Sequence, residues 1–121
     1  VRARRAHRAH YAATLGQAPG VEMAPMMDYG QSNAWLSCVL LDQARFGANP
    51  EKIRESLETH DIESRPIWKP MHQQPYYRSC RVFGGAVSDD LFARGLCLPS
   101  GSSLSADDRD RVVQAFLDCS A

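Results

Sequence analysis

The strongest constraint on the fold is an almost entirely apolar run in the first half of the chain. It covers residues 34–41 and reads Ala-Trp-Leu-Ser-Cys-Val-Leu-Leu. A run of this length and composition is typical of a β-strand that is covered on both faces or nearly so. We therefore predict that residues 34–41 form the central strand of a sheet.

Helical patterns lie on both sides of this strand. Asn49 can cap free N–H groups and is followed by Pro50, which suits the first position of a helix. Ser105 with Asp108 three residues later resembles a capping box. Less polar residues recur at spacings of three and four near the start of the chain, up to Gly16. The predicted helices are 3–15, 50–60, 88–94 and a last one that begins after Ser105.

Short strand patterns complete the set of elements. The candidates are residues 21–24, 62–65 and 96–98. Pro66 is expected to end the second of these, because proline cannot donate a hydrogen bond to a neighbouring strand. Helices and strands alternate without a long parallel βαβ rhythm. The sequence therefore predicts one domain, residues 1–121, of the α+β class, with a small mixed or antiparallel sheet packed against helices.

The charge balance argues against binding to nucleic acid. Fourteen Lys and Arg residues stand against fourteen Asp and Glu residues, so no net field attracts a polyanion. The one uneven region is Arg2, Arg4, Arg5 and Arg8, which we interpret as the solvated face of the first helix rather than a phosphate-binding arm. No apolar run approaches the ~18 residues that cross a bilayer, so no membrane contact is predicted.

The four cysteines form no metal-binding or disulfide pattern. Cys38, Cys80, Cys97 and Cys119 make neither a C-x-x-C pair nor a zinc ribbon. Cys38 and Cys97 lie in apolar strand-like runs, where free cysteine behaves as a small buried hydrophobe. We therefore expect a reduced, cytoplasmic protein with no metal site.

The most unusual segment runs from Arg65 to Tyr77. It combines cations, aromatic rings and three prolines without periodicity, which predicts a shaped loop. Arg65 and Lys69 are suited to an anionic group, Trp68 to stacking, and His72 to hydrogen bonding or proton exchange. The alternative is that three aromatic residues only anchor a long loop to the core. They are Trp68, Tyr76 and Tyr77.

Other candidate sites are weaker. His7 and His10 have the spacing to share a metal, but no third ligand is nearby, and a partly buried helix face explains them better. Residues 99–103 are rich in glycine and serine before a helix, yet they lack the spacing of a phosphate-binding loop. No local signature of a catalytic serine or cysteine is present. We assign no catalytic residue.

Three segments together resemble a known family. They are Ile-Glu-Ser-Arg-Pro-Ile-Trp-Lys-Pro-Met-His-Gln-Gln-Pro-Tyr from Ile62, Ser-Asn-Ala-Trp-Leu from Ser32, and Gly-Leu-Cys-Leu-Pro-Ser-Gly from Gly95. The chain resembles the C-terminal part of the DegT/DnrJ/EryC1/StrS sugar aminotransferases. The Arg-Pro-x-Trp-Lys-Pro-Met-His run is most similar to members that act on UDP-linked 4-keto-6-deoxy sugars.

This resemblance implies a pyridoxal-phosphate enzyme of the aspartate-aminotransferase fold. Such an enzyme works as a homodimer and transfers an amino group from glutamate to a keto sugar nucleotide. Residues 1–121 would be its C-terminal small domain, with 1–16 as the end of a linking helix. The start on Val1 rather than Met also suggests a longer parent. The same resemblance implies that His72 faces the sugar nucleotide. It also implies that Arg65, Trp68 and Lys69 line the entrance of the same substrate site.

The resemblance also limits what this chain does alone. In the family the lysine that binds the cofactor lies upstream of this region. The residues around Lys52 and Lys69 do not resemble those around that lysine. We therefore expect no pyridoxal phosphate on the isolated chain and no activity. Three alternatives remain: a stand-alone module that binds a nucleotide sugar or a protein, a proteolytic or cloned fragment that self-associates through the surface that once met the large domain, and an unrelated ferredoxin-like regulatory domain. An exposed apolar surface would favour a fragment of a larger protein, and a polar surface would favour the module.

Overall fold

One antiparallel sheet organises the chain. The computed structural model describes residues 1–120. In these residues the strands are β1 (Val21–Met23), β2 (Ser37–Leu41), β3 (Arg65–Pro66) and β4 (Gly95–Leu98), in the order β1-β2-β4-β3. Every neighbouring pair is antiparallel. The predicted α+β class, with a small sheet packed against helices, is confirmed, and β2 has two neighbours as expected for a central strand.

The helices follow the predicted caps. Asn49 Oδ1 accepts from the Lys52 N–H at 2.8 Å, and Ser105 and Asp108 form the capping box. None of the helices among residues 1–120 is long and apolar enough to span a membrane. The helices are α1 (Arg2–Thr14), α2 (Gln43–Phe46), α3 (Pro50–Thr59), α4 (Ala86–Arg94) and α5 (Ala106–Leu117), with short 3-10 turns at Leu15–Gln17, Met71–Gln73 and Pro75–Tyr77.

The two faces of the sheet have different neighbours. Alternate residues of the central strands, such as Val39 and Leu96, enter a core with side chains of α1, α3 and α5. The largest buried side chains of that core are Tyr11 and Phe116. The intervening residues face the other side, where Cys97 and Phe92 of α4 line the same cleft. The first face therefore holds the fold together, and the second face carries the candidate site.

A buried hydroxyl ties α1 to the segment after β4. Tyr11 is fully buried, and its hydroxyl donates to the Pro99 carbonyl at 2.9 Å. Burial raises the pKa of Tyr11 to about 12, so the hydroxyl keeps its proton at neutral pH. This bond fixes the backbone beside the candidate site to the core.

Tyr11→Phe is expected to lower the free energy of unfolding by about 1–2 kcal/mol, because the half-buried Pro99 carbonyl loses its donor. Urea denaturation followed by circular dichroism measures the change. Tyr29→Phe is the matched control, since Tyr29 is 86% exposed and its change should stay within about 0.5 kcal/mol. Equal effects of the two substitutions would contradict the role of this bond.

The central strand begins later than the sequence predicted. Residues 34–36 turn toward the strand without joining it, and Ala34 has a positive φ of 51°. The Ser32 hydroxyl accepts from the Ala34 N–H at 3.0 Å, and Asn33 Oδ1 accepts from the Trp35 N–H at 3.0 Å. These local side-chain bonds compete with strand pairing. Residues 34–36 of the apolar run therefore form a turn, and residues 37–41 form the strand.

The strand predicted at residues 62–65 is also displaced. Ile62 is a buried core residue outside any strand, and the pairing with β4 starts at Arg65 and includes Pro66. Proline is tolerated because β3 is an edge strand, and one side of its backbone has no neighbouring strand that needs a hydrogen-bond donor. The shift places Arg65 opposite Cys97 on the second face.

Three of the four arginines of α1 make tertiary hydrogen bonds, which the interpretation as a solvated face did not include. Arg4, Arg5 and Arg8 donate to the backbone carbonyls of Trp35, Ser32 and Ala24 at 2.6, 2.8 and 2.7 Å. Charged donors make strong bonds to carbonyl groups. These three arginines therefore hold the segment between β1 and β2 in place.

Candidate functional site

A cleft of about 600 Å³ opens on the second face of the sheet. It is lined by residues 63–69, residues 97–100, Leu36 and Phe92. Three of the four predicted site residues, Arg65, Trp68 and Lys69, belong to this lining. We call it the Trp68 cleft. Its wall is mostly apolar and includes two cations, Arg65 and Lys69, and one carboxylate, Glu63. A few charged groups in an apolar wall are usual for a site that binds a small molecule.

Trp68 presents a large ring to this cleft. It is 64% exposed and packs on Trp35, with ring centroids 5.6 Å apart. The Trp35 carbonyl accepts from Arg4 and from the buried Ser100 hydroxyl, at 2.6 and 2.9 Å. Trp35 is therefore fixed by its backbone, and it supports Trp68 in an open position.

Of the three aromatic residues proposed as anchors of the loop, only Tyr77 is half-buried. Trp68 and Tyr76 are 64% and 86% exposed. The contacts to the fold come instead from Pro70, which is buried, and from Ile67, which packs over Gly95. Ile67 was not predicted as an anchor from the sequence, because its contact depends on a glycine 28 positions later in the chain.

The two cations of the Trp68 cleft differ in their partners. Arg65 Nε donates to Glu63 Oε1 at 2.8 Å, so its charge is partly engaged. Lys69 is exposed and forms no ion pair with any group among residues 1–120. Lys69 is therefore the cation of this cleft that can meet an anionic ligand without giving up an internal partner.

His72 lies outside the Trp68 cleft. Its Nε2 is 2.7 Å from Asp89 Oδ1, and its ring lies against Gly85, where an added Cβ would come within 3.0 Å of Cε1. Gln73 Nε2 donates to the same Asp89 oxygen at 2.5 Å. The structure thus groups Arg65, Trp68 and Lys69, and it holds His72 separately at the start of α4.

Asp89 is the residue that sequence reasoning missed. It was explained as an acidic group in the first turn of a helix, and it does occupy that position in α4. The sequence feature that could have indicated this role is the pair of adjacent carboxylates, Asp89 and Asp90. The two side chains have different partners in the structure. Asp90 pairs with Arg94 at 2.7 Å, and Asp89 instead accepts from His72 and Gln73.

The histidine pair of α1 forms no metal site within residues 1–120. His7 is buried, and burial lowers its pKa, which favours the neutral ring. His10 Nε2 lies 3.0 Å from Asp110 Oδ1. No group of three or more metal-ligating side chains is found in the part of the chain that the structure describes. The predicted partly buried helix face is confirmed for both histidines.

The fold belongs to the class of pyridoxal-phosphate aminotransferases. The structure of DesI, solved in the presence of its TDP-sugar product, covers 98% of the chain with a TM-score of 0.87 and 28% identity, and the match spans 30% of DesI. The aminotransferase TlmJ of Streptoalloteichus hindustanus covers 98% with a TM-score of 0.84 at 20% identity, over 31% of its length. The aminotransferase-type fold inferred from the resemblance is confirmed.

The family is narrower than this class. The model of the DegT/DnrJ/EryC1/StrS aminotransferase family matches residues 1–117, and the chain belongs to that family. EpsN of Bacillus subtilis (strain 168), named as a candidate pyridoxal phosphate-dependent aminotransferase, is 40% identical over 88% of the chain. GDP-perosamine synthase of Vibrio cholerae is 34% identical over 78%. The chain matches only 28% of the length of each of these relatives.

The lysines of this chain do not fit the cofactor. Pyridoxal phosphate is held as a Schiff base to a lysine in a site that also supplies a partner for the ring nitrogen. Lys52 is an exposed residue of α3, and Lys69 is exposed at the Trp68 cleft. Neither is enclosed as such a lysine must be when water is excluded from the reaction. We therefore derive no chemical step from these two residues.

Proposed function

We propose that this chain is the C-terminal small domain of an aminotransferase that transfers an amino group from glutamate to a nucleotide-linked keto sugar. A UDP-linked 4-keto-6-deoxy sugar is the proposed substrate. The observation that carries the proposal is the grouping of Trp68 and Lys69 with Arg65 in one cleft. Family membership and the sugar-nucleotide names of two relatives, GDP-perosamine synthase and DesI, support it.

The chemistry of the Trp68 cleft suits a nucleotide sugar. The diphosphate of such a ligand would contact Lys69, which has no internal ion pair among residues 1–120. It would also contact Arg65, whose guanidinium would then donate to phosphate oxygens instead of to Glu63. The Trp68 ring offers a flat apolar face to a base or a sugar ring. We propose these three residues as substrate contacts and assign none of them a chemical step.

His72 is proposed as a further substrate contact, at a distance from the cleft. The Asp89 carboxylate accepts from Nε2, which places the proton of a neutral ring on Nε2 and leaves Nδ1 as an acceptor. Nδ1 would then receive a hydrogen bond from a sugar hydroxyl. Asp89 acts here as a positioning residue, because it fixes the ring and its tautomer.

The rest of the aminotransferase would complete the site. Large apolar side chains are exposed in two segments, residues 26–35 and 68–87, and they support contact with another part of the protein or with a second subunit of a homodimer. These side chains are Met26, Met27, Tyr29, Trp35, Trp68, Met71, Tyr76, Val82, Phe83 and Val87. The cofactor lysine would lie in that other part, so the isolated chain would be inactive.

The test uses the full-length protein with pyridoxal phosphate, glutamate and a UDP-linked 4-keto-6-deoxy sugar. Mass spectrometry should detect the amino sugar nucleotide. Lys69→Ala should raise KM for the sugar nucleotide about tenfold with a smaller change in kcat, because a charged contact to the bound phosphate is lost. The matched control is Lys52→Ala, which removes the other lysine of this chain and should leave KM unchanged.

Two results would count against the proposal. Absence of an amino sugar with UDP-, GDP- and TDP-linked keto sugars would contradict the activity. An unchanged KM for Lys69→Ala in an active enzyme would contradict the placement of the nucleotide in the Trp68 cleft, while leaving the activity in place.

A further inference from the structure

Two cysteines face each other across the centre of the sheet. Cys38 of β2 and Cys97 of β4 are register partners, and their Sγ atoms are 3.5 Å apart. Both are free thiols. The distance is a close contact between two sulfur atoms, which must approach to about 2.05 Å to form a disulfide.

The backbone places this pair at the closer type of antiparallel position. The Cys38 carbonyl accepts from the Ala24 N–H at 2.9 Å, on the β1 side of β2. The N–H and C=O groups of a strand residue point to the same side, so Cys38 makes no backbone bond to Cys97. Such non-hydrogen-bonded partners have Cα atoms about 4.5 Å apart. That separation is within the roughly 4.4–6.8 Å range that a disulfide spans.

The two thiols differ in access and in acidity. Cys38 is half-buried, and Cys97 is only 6% exposed. A hydrogen bond from the Cys97 thiol lowers the pKa of Cys38 to about 7, against the opposing effect of burial and with the positive charge of Arg8 adding to it. The same hydrogen bond and burial raise the pKa of Cys97. Cys38 is therefore the thiol that an oxidant in solution reaches first, and its lowered pKa favours that reaction, while Cys97 is its buried neighbour.

We propose that Cys38 and Cys97 are an oxidation site that forms a reversible cross-strand disulfide in response to a hydroperoxide. The Cys38 thiolate attacks the outer peroxide oxygen, the O–O bond breaks, and the departing oxygen takes a proton to leave as water or an alcohol. Cys38 is then a sulfenic acid. The Cys97 sulfur attacks the Cys38 sulfur, the S–O bond breaks, and the hydroxide leaves with the Cys97 proton as water.

The overall change is balanced. Two thiols give up two electrons and two protons, and one hydroperoxide is reduced to an alcohol and water. A dithiol reductant reverses the change by returning two electrons and two protons through thiol–disulfide exchange. The consequence reaches the Trp68 cleft, because Cys97 is part of its wall and the register partner of Arg65. Oxidation would fix β2 to β4 directly behind that cleft.

The experiment treats the full-length protein with a small molar excess of hydrogen peroxide, blocks free thiols with iodoacetamide and digests without reduction. Trypsin separates the four cysteines into different peptides, with Cys38 in residues 9–45 and Cys97 in residues 95–109. Mass spectrometry should find these two peptides joined, at a mass lower by two hydrogens than their sum. Dithiothreitol should restore both thiols.

Two variants give the matched comparison. Cys80→Ser removes an exposed thiol and should leave the link between the two peptides intact. Cys97→Ser should abolish it and leave Cys38 as a sulfenic acid that reacts with dimedone. In the wild-type protein, a stable sulfenic acid on Cys38, a link from Cys38 to another cysteine, or unmodified Cys38 and Cys97 would each overturn the proposal. The wild-type measurement does not depend on how either variant folds, and it does not depend on the proposed aminotransferase activity.

Discussion

Replacing Phe116 with alanine is expected to lower the free energy of unfolding by about 3–5 kcal/mol. Phe116 is fully buried, and its ring packs on Phe46 with centroids 5.4 Å apart. It lies on α5, which contacts both α1 and α3. A domain of this size has a total stability of only about 5–15 kcal/mol, so the substitution removes a large share of it.

Urea denaturation of the chain, followed by circular dichroism, measures this loss. Phe83→Ala is the matched control, because Phe83 is 78% exposed and contacts Arg81 through its ring face. Its loss should stay below about 1 kcal/mol. Similar midpoints for the two variants would mean that α5 does not close the core as described.

Gly95→Val is expected to destabilise the chain by about 2–4 kcal/mol, through steric overlap rather than backbone strain. Gly95 joins α4 to β4 with φ −103° and ψ 145°, a conformation open to any residue. An added Cβ would lie 2.2 Å from Ile67 Cδ1 and 2.5 Å from the Leu91 carbonyl oxygen. Ile67 would have to move. Because Ile67 lies between Arg65 and Trp68 in the chain, its movement would also displace the segment that contains Arg65, Trp68 and Lys69.

A double-mutant cycle tests this mechanism. Ile67→Ala in the Gly95→Val background should recover at least about 1 kcal/mol of the loss relative to additivity, because it removes one of the two overlaps. Gly30→Val is the control, since an added Cβ at Gly30 contacts nothing within 4 Å. Strict additivity of the Ile67 and Gly95 changes would show that Ile67 does not pack on this glycine.

Local signals in the sequence predicted most of the fold. Asn49 with Pro50 and Ser105 with Asp108 mark the starts of α3 and α5, because capping is a contact within a few residues. Helix α2 was missed, although Asp42 caps it and Gly47 ends it with a left-handed conformation. Four residues are too few for a helical period to show. The sequence therefore predicts elements well where a cap and a period agree.

The candidate site was only partly predictable for the same reason. Arg65, Trp68 and Lys69 are close in sequence, and the structure places them in one cleft. The partner of His72 is Asp89, 17 residues away, and the partner of Cys38 is Cys97, 59 residues away. Such pairs depend on strand register and helix placement. Neither is determined by residues near either partner.

The two-residue edge strand β3 also affects how the chain behaves among copies of itself. An open sheet edge with free N–H and C=O groups can recruit a strand from another molecule and begin aggregation. Here the edge consists of Arg65 and Pro66, so it offers one charged side chain and one residue without an N–H donor. This edge is therefore a poor template for intermolecular β-pairing, even though exposed aromatic side chains lie a few residues away.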